Sequence, residues 1–387
     1  MTESVYLNEL VDIYLGLTHT PEYVLDGVPF LSVKNISSGT IDFSQCNYIT
    51  EEEYNSLPNG AKPQCGDMLF CRVGTIGKPV IIEEDTPRFG SFVSLGFFRV
   101  KDNNLCKLKY LYYWMYSESF YSQVRKNVKG ASQVNLNTGW LKNFRLPLYS
   151  LATQAEIVQK LEEVDRLITL RKEQLAKLDE LVKSRFIELF GGFIGVEDPV
   201  DFESICEFVT VGIANSATHA FCDNGVIMLR NQNIKEDYLD TSDIVQITSE
   251  FAAKYKSKKL KKDDLLIVRT GYPGVACLVP EQYEGSQTFT TLIARLKDTN
   301  VINPRFICHY INSEYGKKYV RDNSAGAAQQ NFGATALSKL PICIPPIELQ
   351  DKYIRFVEQT DKSKLAIQES LTELETLKKA LMQKYFG

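Results

Sequence analysis

The sequence predicts a mixed α/β chain built as an internal repeat. Two globular units of mostly antiparallel sheet are separated by two long helices with coiled-coil spacing, and the whole is a pseudo-twofold molecule if those helices pack antiparallel. Three observations carry that expectation. A charge-rich stretch with apolar residues at helical spacing occurs twice. The segments preceding the two copies match one another at nearly the same offset. Those segments are short apolar runs cut by Gly, Asn, Asp and Pro, the pattern of strands and turns.

The first helical stretch runs from Thr153 to Phe190. Leu161, Val164, Ile168, Leu175, Leu178, Val182 and Leu189 step by threes and fours, apart from the gap at Arg171. That is one apolar seam on a helix. Thr153 with Glu156 three residues on predicts a capping box at its start, and Gly191-Gly192 predicts a left-handed cap at its end. A helix of this length spans about 55–60 Å, which marks a spacer or coiled-coil strand. The second copy closes the chain: Gln154 matches Gln350, Asp165 matches Asp361, Leu175 matches Leu371, and Phe190-Gly191 matches Phe386-Gly387. The offset is 196 throughout (350 − 154). Pro345 and Pro346 are its start signal. Residue 387 stands where the first helix stops, so a complete chain is expected, although a circularly permuted ancestor would look the same.

The repeat extends into the flanking segments, as duplication requires. Phe70 to Gly77 pairs with Ile267 to Gly274, Gly130 to Asn135 with Gly326 to Asn331, and Phe30 to Asn35 with Ile227 to Gln232. Strands are expected at Val80–Ile82, Phe97–Val100 and Ile293–Leu296, and a helical piece before each long helix, over Leu108–Val124 and Pro304–Val320. The expected domains are 1–150, a first long helix over 151–192, a second globular domain over 193–345 and a second long helix over 346–387.

The totals bound the answer further. At 387 residues with 44% hydrophobic and 24% charged residues, the chain reads as ordinary globular protein of two to three domains. It has neither a membrane-spanning apolar run nor a signal-peptide pattern at its start. Nine cysteines, an odd number without a Cys-x-x-Cys pair, fit reduced thiols and a cytoplasmic location. Three scattered histidines give no metal-ligand cluster. A net charge of −4 argues against gripping nucleic acid by bulk charge, so any DNA contact must be local or shared with partners.

Two similar but divergent units on long helices suit a bipartite target. With its two helical repeats, the lead-ins Leu146-Pro147-Leu148 and Ile344-Pro345-Pro346, and the stretch Arg72-Val73-Gly74-Thr75-Ile76-Gly77, the chain resembles the DNA specificity subunits of type I restriction–modification systems over essentially its whole length. The resemblance implies that each globular unit is a target-recognition domain reading one half of a bipartite, gapped site in double-stranded DNA. It implies that the helices pack as an antiparallel coiled coil, set the spacing and dock modification methyltransferase subunits, two in number, with restriction endonuclease subunits completing the complex. It also implies that this chain has no catalysis and no cofactor of its own. S-adenosylmethionine, ATP and Mg belong to the partners. Lengthening the first helix by two turns is then expected to change the spacer alone.

Candidate DNA contacts follow from residue chemistry. Arg72 and Arg269 precede matched glycine turns, and an arginine fork donates to guanine O6 and N7, while glycines let backbone approach a phosphate. Thr75, Thr270 and Tyr272 belong to the same turns, and Lys78 follows the first, with a solvated lysine as its plainer reading. Ser132, Gln133, Asn135, Gln329, Gln330 and Asn331 are loop side chains suited to adenine edges or phosphates, with turn chemistry as the plainer reading. Lys34, Asn35, Arg230, Asn231 and Gln232 form another matched pair. Lys258 and Lys259 stand in the basic run Lys254–Lys262, suited to lie along phosphates or simply to face solvent.

Two other functions fit less well. Phe190 to Gly195 is glycine-rich, but it follows a helix, whereas a dinucleotide loop leads from strand into helix. Asn303-Pro304-Arg305-Phe306 has Arg305 where an amino-methyltransferase motif carries proline, and no phosphate loop is present. A self-contained DNA methyltransferase is therefore disfavoured. A coiled-coil scaffold that binds only protein explains the helices but leaves two divergent, loop-rich units without work.

Overall fold

Ser150 starts the first long helix. Its Oγ accepts the Thr153 N–H at 3.3 Å, and Gln154 N–H bonds back to the Ser150 carbonyl at 2.8 Å. In this computed structural model, which describes residues 3–36, 38–127, 135–194, 198–214, 217–325 and 331–387, the cap thus lies three residues before the expected Thr153–Glu156 box. Helix α1 covers Leu151–Phe190 and α2 covers Ile347–Phe386. The far end of α1 also differs from expectation. Gly191 and Gly192 are not left-handed; a Cβ on Gly191 would stand 2.6 Å from the Ile187 carbonyl oxygen, so close approach is what demands glycine. The matched Gly387 does adopt the left-handed form, at φ +89°.

The chain divides into two units, Met1–Glu173 with Gln368–Gly387, and Gln174–Ile367. Each unit therefore contains part of both long helices. In the first, Asp165 pairs with Lys378 and Lys172 with Glu375. In the second, Asp179 pairs with Lys364, Arg185 lies over the Phe356 ring at 5.7 Å, and Phe186 meets Tyr353 at 5.5 Å. Rising numbers on α1 meet falling numbers on α2, so the segments run antiparallel in both units. Burial along the seam is uneven. Leu161, Val164, Phe186 and Phe190 are buried, while Ile168, Leu175, Leu178 and Val182 are only half-buried. One partner helix covers one side, and Leu161, Phe186 and Phe190 are in addition part of the globular cores.

That core is built on a four-stranded sheet. In the first unit β1 (Val11–Leu15), β2 (Met68–Cys71), β3 (Gly77–Ile81) and β4 (Leu95–Val100) lie in the order β1-β4-β2-β3, all antiparallel. The second unit repeats it with β5 (Cys206–Val211), β6 (Leu265–Ile267), β7 (Ala276–Leu278) and β8 (Leu292–Leu296) in the order β5-β8-β6-β7. The central strands are apolar throughout because both their faces are covered. Met68 and Phe70 join the core under the helices, while Leu69 and Cys71 join the one beneath the smaller sheet. Leu265 and Ile267 divide from Leu266 and Val268 in the same way. A further sheet, of three strands in the first unit and four in the second, adds a parallel pair, Phe30 beside Gly90 and Met228 beside Gln287, to otherwise antiparallel strands.

Each expected helical piece before a long helix is two helices. Leu108–Trp114 and Glu118–Asn127 break at Ser117, whose Oγ accepts the Phe120 N–H; Pro304–Asn312 and Glu314–Asp322 break at Ser313, whose Oγ accepts the Gly316 N–H. Serine here caps the next helix instead of continuing the last. All nine cysteines are free, and no helix among the described residues is long and apolar enough to cross a membrane.

Candidate nucleic-acid interface

In both units the turn after the second strand of the sheet comes to lie against the residue that follows the amide-rich loop. Val73 bridges Asn135, and Leu136 N–H donates to the Arg72 carbonyl at 2.9 Å. Thr270 bridges Asn331, and Phe332 N–H donates to the Arg269 carbonyl at 2.9 Å. Two distant stretches of sequence are thus one surface in the fold. The turn itself needs glycine: Gly74, Gly77, Gly271 and Gly274 take φ of +70°, +84°, +89° and +90°, which only glycine adopts at no cost.

The side chains on this surface have diverged. Arg72 is only 8% exposed, and its guanidinium donates to the carbonyls of Leu136 (2.9 Å) and Val93 (2.6 Å). Thr75 is exposed, Lys78 is half-buried at φ +47°, and Asn135 is exposed. In the second unit Arg269 is half-exposed, with Nε donating to Asn331 Oδ1 at 3.0 Å. Tyr272, exposed, donates its hydroxyl to the Asn231 carbonyl at 2.9 Å, and Asn231 Nδ2 donates to Thr270 Oγ1 at 3.1 Å. Arg269, Thr270, Tyr272, Asn231 and Asn331 therefore form one connected polar cluster. Ser132, Gln133, Gln329 and Gln330 lie outside the described residues.

The remaining matched pair requires a correction of one residue in register. Asn35 is buried; its Oδ1 accepts the Ser32 N–H at 2.9 Å and its Nδ2 donates to the Asp42 carbonyl at 3.1 Å. The residue with the same bonds in the second unit is Asn233, to the Arg230 N–H and the Asp240 carbonyl, both at 2.9 Å. Lys34 thus corresponds to Gln232, and Asn35 to Asn233 rather than to a residue of the Arg230-Asn231-Gln232 triplet. The sequence held a signal for it, since Asn-Ile precedes an Asp seven residues past the Asn in both places. Arg230 and Gln232 both bond the Asp243 side chain, at 2.9 and 2.7 Å, and Lys34 is exposed.

Within the basic run, Lys258 donates to Thr210 Oγ1 at the wall of a cleft of about 440 Å³ that Gly212, Tyr255 and Ala334 also line. Burial pushes its ammonium pKa down. Lys259 is exposed, Lys254 faces Glu250 at 4.0 Å and Lys262 faces Glu281 at 3.4 Å, so part of the run's charge is met locally. Among the described residues no group of three His, Cys, Asp or Glu side chains is placed to hold a metal. The donors and acceptors gathered here suit base edges and phosphates.

The model of the type I restriction modification DNA specificity domain matches the chain twice, over residues 19–180 and 199–378. The chain is similar to the type I restriction enzyme StySPI specificity subunit of Salmonella potsdam, at 22% identity over 96% of this chain and 85% of that one. Its fold is similar to a chain from a structure addressing complex assembly and conformational transition of a type I R-M system, with a TM-score of 0.67, 16% identity, and coverage of 99% and 97%. It is also similar in fold to the S subunit crystal structure from M. genitalium, with a TM-score of 0.55, 14% identity, and coverage of 100% and 96%.

Proposed function

The chain belongs to the type I restriction modification DNA specificity domain family, and from that premise we propose that each of its units reads one half of a bipartite, gapped DNA site. The chain is the specificity subunit of a type I restriction–modification system, with two recognition domains. The observation that carries the reading of two half-sites is the duplication with divergence. One fold is built twice, yet at the matched turn the first unit carries a buried Arg72 and the second a half-exposed Arg269 tied to Asn331. Equivalent scaffolds with different loop side chains are what two different half-sites require.

In this reading α1 and α2 fix the interval between half-sites and offer docking faces to two modification methyltransferase subunits, with restriction endonuclease subunits completing the complex. This chain binds no cofactor and performs no chemistry. S-adenosylmethionine, ATP and Mg serve the partners, which also share the phosphate contacts and so answer the chain's net charge of −4. On the DNA side, Thr75, Lys78, Asn135, Asn231, Thr270, Tyr272 and Asn331 offer polar groups at the turn surfaces, Lys34, Arg230 and Gln232 flank them, and Lys258 and Lys259 suit phosphates. The test is methylome sequencing of a host without type I systems, carrying the cognate methyltransferase with or without this chain. Adenine methylation in a gapped motif that depends on the chain supports the proposal. Co-purification of the two proteins with no chain-dependent motif favours a protein-binding scaffold instead.

A further inference from the structure

The arginines that the repeat places at one point of the two units stand in different states. Arg72 is held inside the fold by two backbone carbonyls, Leu136 and Val93, acceptors that need a donor once buried. Arg269 gives only its Nε to a neighbour, the Asn331 side chain. Its two terminal nitrogens, which carry four of the five guanidinium donors, meet no hydrogen-bond or ion-pair partner among the described residues. Asn331 is itself pinned, its N–H donating to the Ala325 carbonyl at 2.9 Å and its carbonyl accepting the Ala325 N–H at 3.1 Å. The fork is thus aimed by one bond and open along its outer edge. The backbone beside it has also changed. Thr290, which occupies the place of Val93, sits at φ +56°, a conformation unfavourable for a β-branched residue and of the kind that gathers at functional positions.

We propose that Arg269 reads a guanine in the half-site contacted by the second unit, its terminal nitrogens donating in parallel to O6 and N7, while Arg72 reads no base and serves the fold of the first unit. Asn331 is then a positioning residue. The inference rests on the chain being a DNA-reading specificity subunit, and it adds which of two homologous residues does the reading and what base it takes. An arginine fork matches guanine in the major groove better than any other base edge, and a side chain preset by a hydrogen bond loses less freedom on binding.

The experiment uses the full chain with its cognate methyltransferase and compares the methylomes of the unchanged chain, Arg269→Gln, Arg269→Lys and Arg72→Gln. Both Arg269 variants are expected to relax one G·C position in one half of the motif, losing about 5- to 150-fold of the preference for guanine there, the worth of one bidentate pair. The other half stays as it was. Arg72→Gln is expected to leave every motif position intact and to lower the melting temperature. Uniform weakening on all sequences by the Arg269 variants, with a salt slope shallower by about one, marks a phosphate contact and overturns the proposal. So does a base relaxed by Arg72→Gln. Arg269→Lys keeps the charge without the fork and carries the test if Arg269→Gln does not fold; failure of both to fold makes Arg269 structural and likewise overturns it. A wild-type chain that directs no motif at all would instead refute the underlying function, an outcome distinct from these.

Discussion

Gln154 and Gln350 identify the repeat in the sequence, and in the fold they are pins. Each is fully buried where a long helix begins. Gln350 Oε1 accepts the Asn303 N–H at 2.9 Å, while its Nε2 donates to the carbonyls of Pro345 (2.7 Å) and Val301 (3.2 Å). Gln154 does the same with Lys107, Tyr149 and Leu105. Replacing Gln350 with alanine leaves the buried Pro345 carbonyl and the part-buried Asn303 N–H without their partner, so Gln350→Ala is expected to cost about 1–3 kcal/mol, read as an earlier unfolding midpoint in denaturant. A variant as stable as the parent would contradict the assignment. His309 links the same helix to the globular core: Nδ1 bonds the Tyr353 hydroxyl at 2.8 Å, and Nε2 stands 3.7 Å from Asp237. Burial lowers its pKa, and the nearby Arg305 adds to that, against the opposing pull of Asp237, Asp361 and Glu236. A histidine in the unfolded chain titrates near 6.5, so unfolding takes up a proton once the pH falls below that value. Its stabilising contribution is therefore full above about pH 6.5 and is lost as the pH drops toward the folded pKa. Melting temperature should fall over that window, and His309→Gln should flatten the fall; an unchanged slope would contradict it.

Elements were more legible than their ends. The long helices and the repeat linking them followed from periodicity and offset, and the expected strands Val80–Ile82, Phe97–Val100 and Ile293–Leu296 overlap Gly77–Ile81, Leu95–Val100 and Leu292–Leu296. Helix boundaries were missed where a short polar side chain decided them: Ser150 outcompetes Thr153 as cap, and Ser117 and Ser313 split what apolar spacing joined. The one-residue register error at Asn35 and Asn233 has the same origin, since matching residue types does not reveal which amide closes a loop. The candidate interface was legible as residue types but not as geometry. Nothing in the spacing says that Arg72 turns inward and Arg269 outward. Packing also grades the helices along their length. Phe190 is fully buried, with Phe306 at 4.7 Å and Tyr353 at 5.4 Å, whereas Leu181 is 48% exposed. Phe190→Ala is expected to destabilise the second unit by about 3–5 kcal/mol, and Leu181→Ala to change the stability of the isolated chain by less than about 0.5 kcal/mol. Thermal unfolding of the two variants side by side checks the contrast, and equal losses would contradict it.

At the scale of the whole molecule, one fold occurs twice along a chain whose two long helices each contribute to both units. In the proposed function recognition and spacing vary separately, the loops of each unit setting which bases are read and helix length setting how far apart the half-sites lie. The most direct measurement of this claim inserts one heptad into each helix, between Glu173 and Gln174 and between Ile367 and Gln368, where the units divide. Seven residues keep the apolar seam in phase and add about 10 Å at about 1.5 Å per residue, or about three base pairs at about 3.4 Å each. Methylome sequencing with the cognate methyltransferase should then return both original half-sites with a spacer longer by about three base pairs. An unchanged spacer, or altered bases within either half-site, would contradict the account.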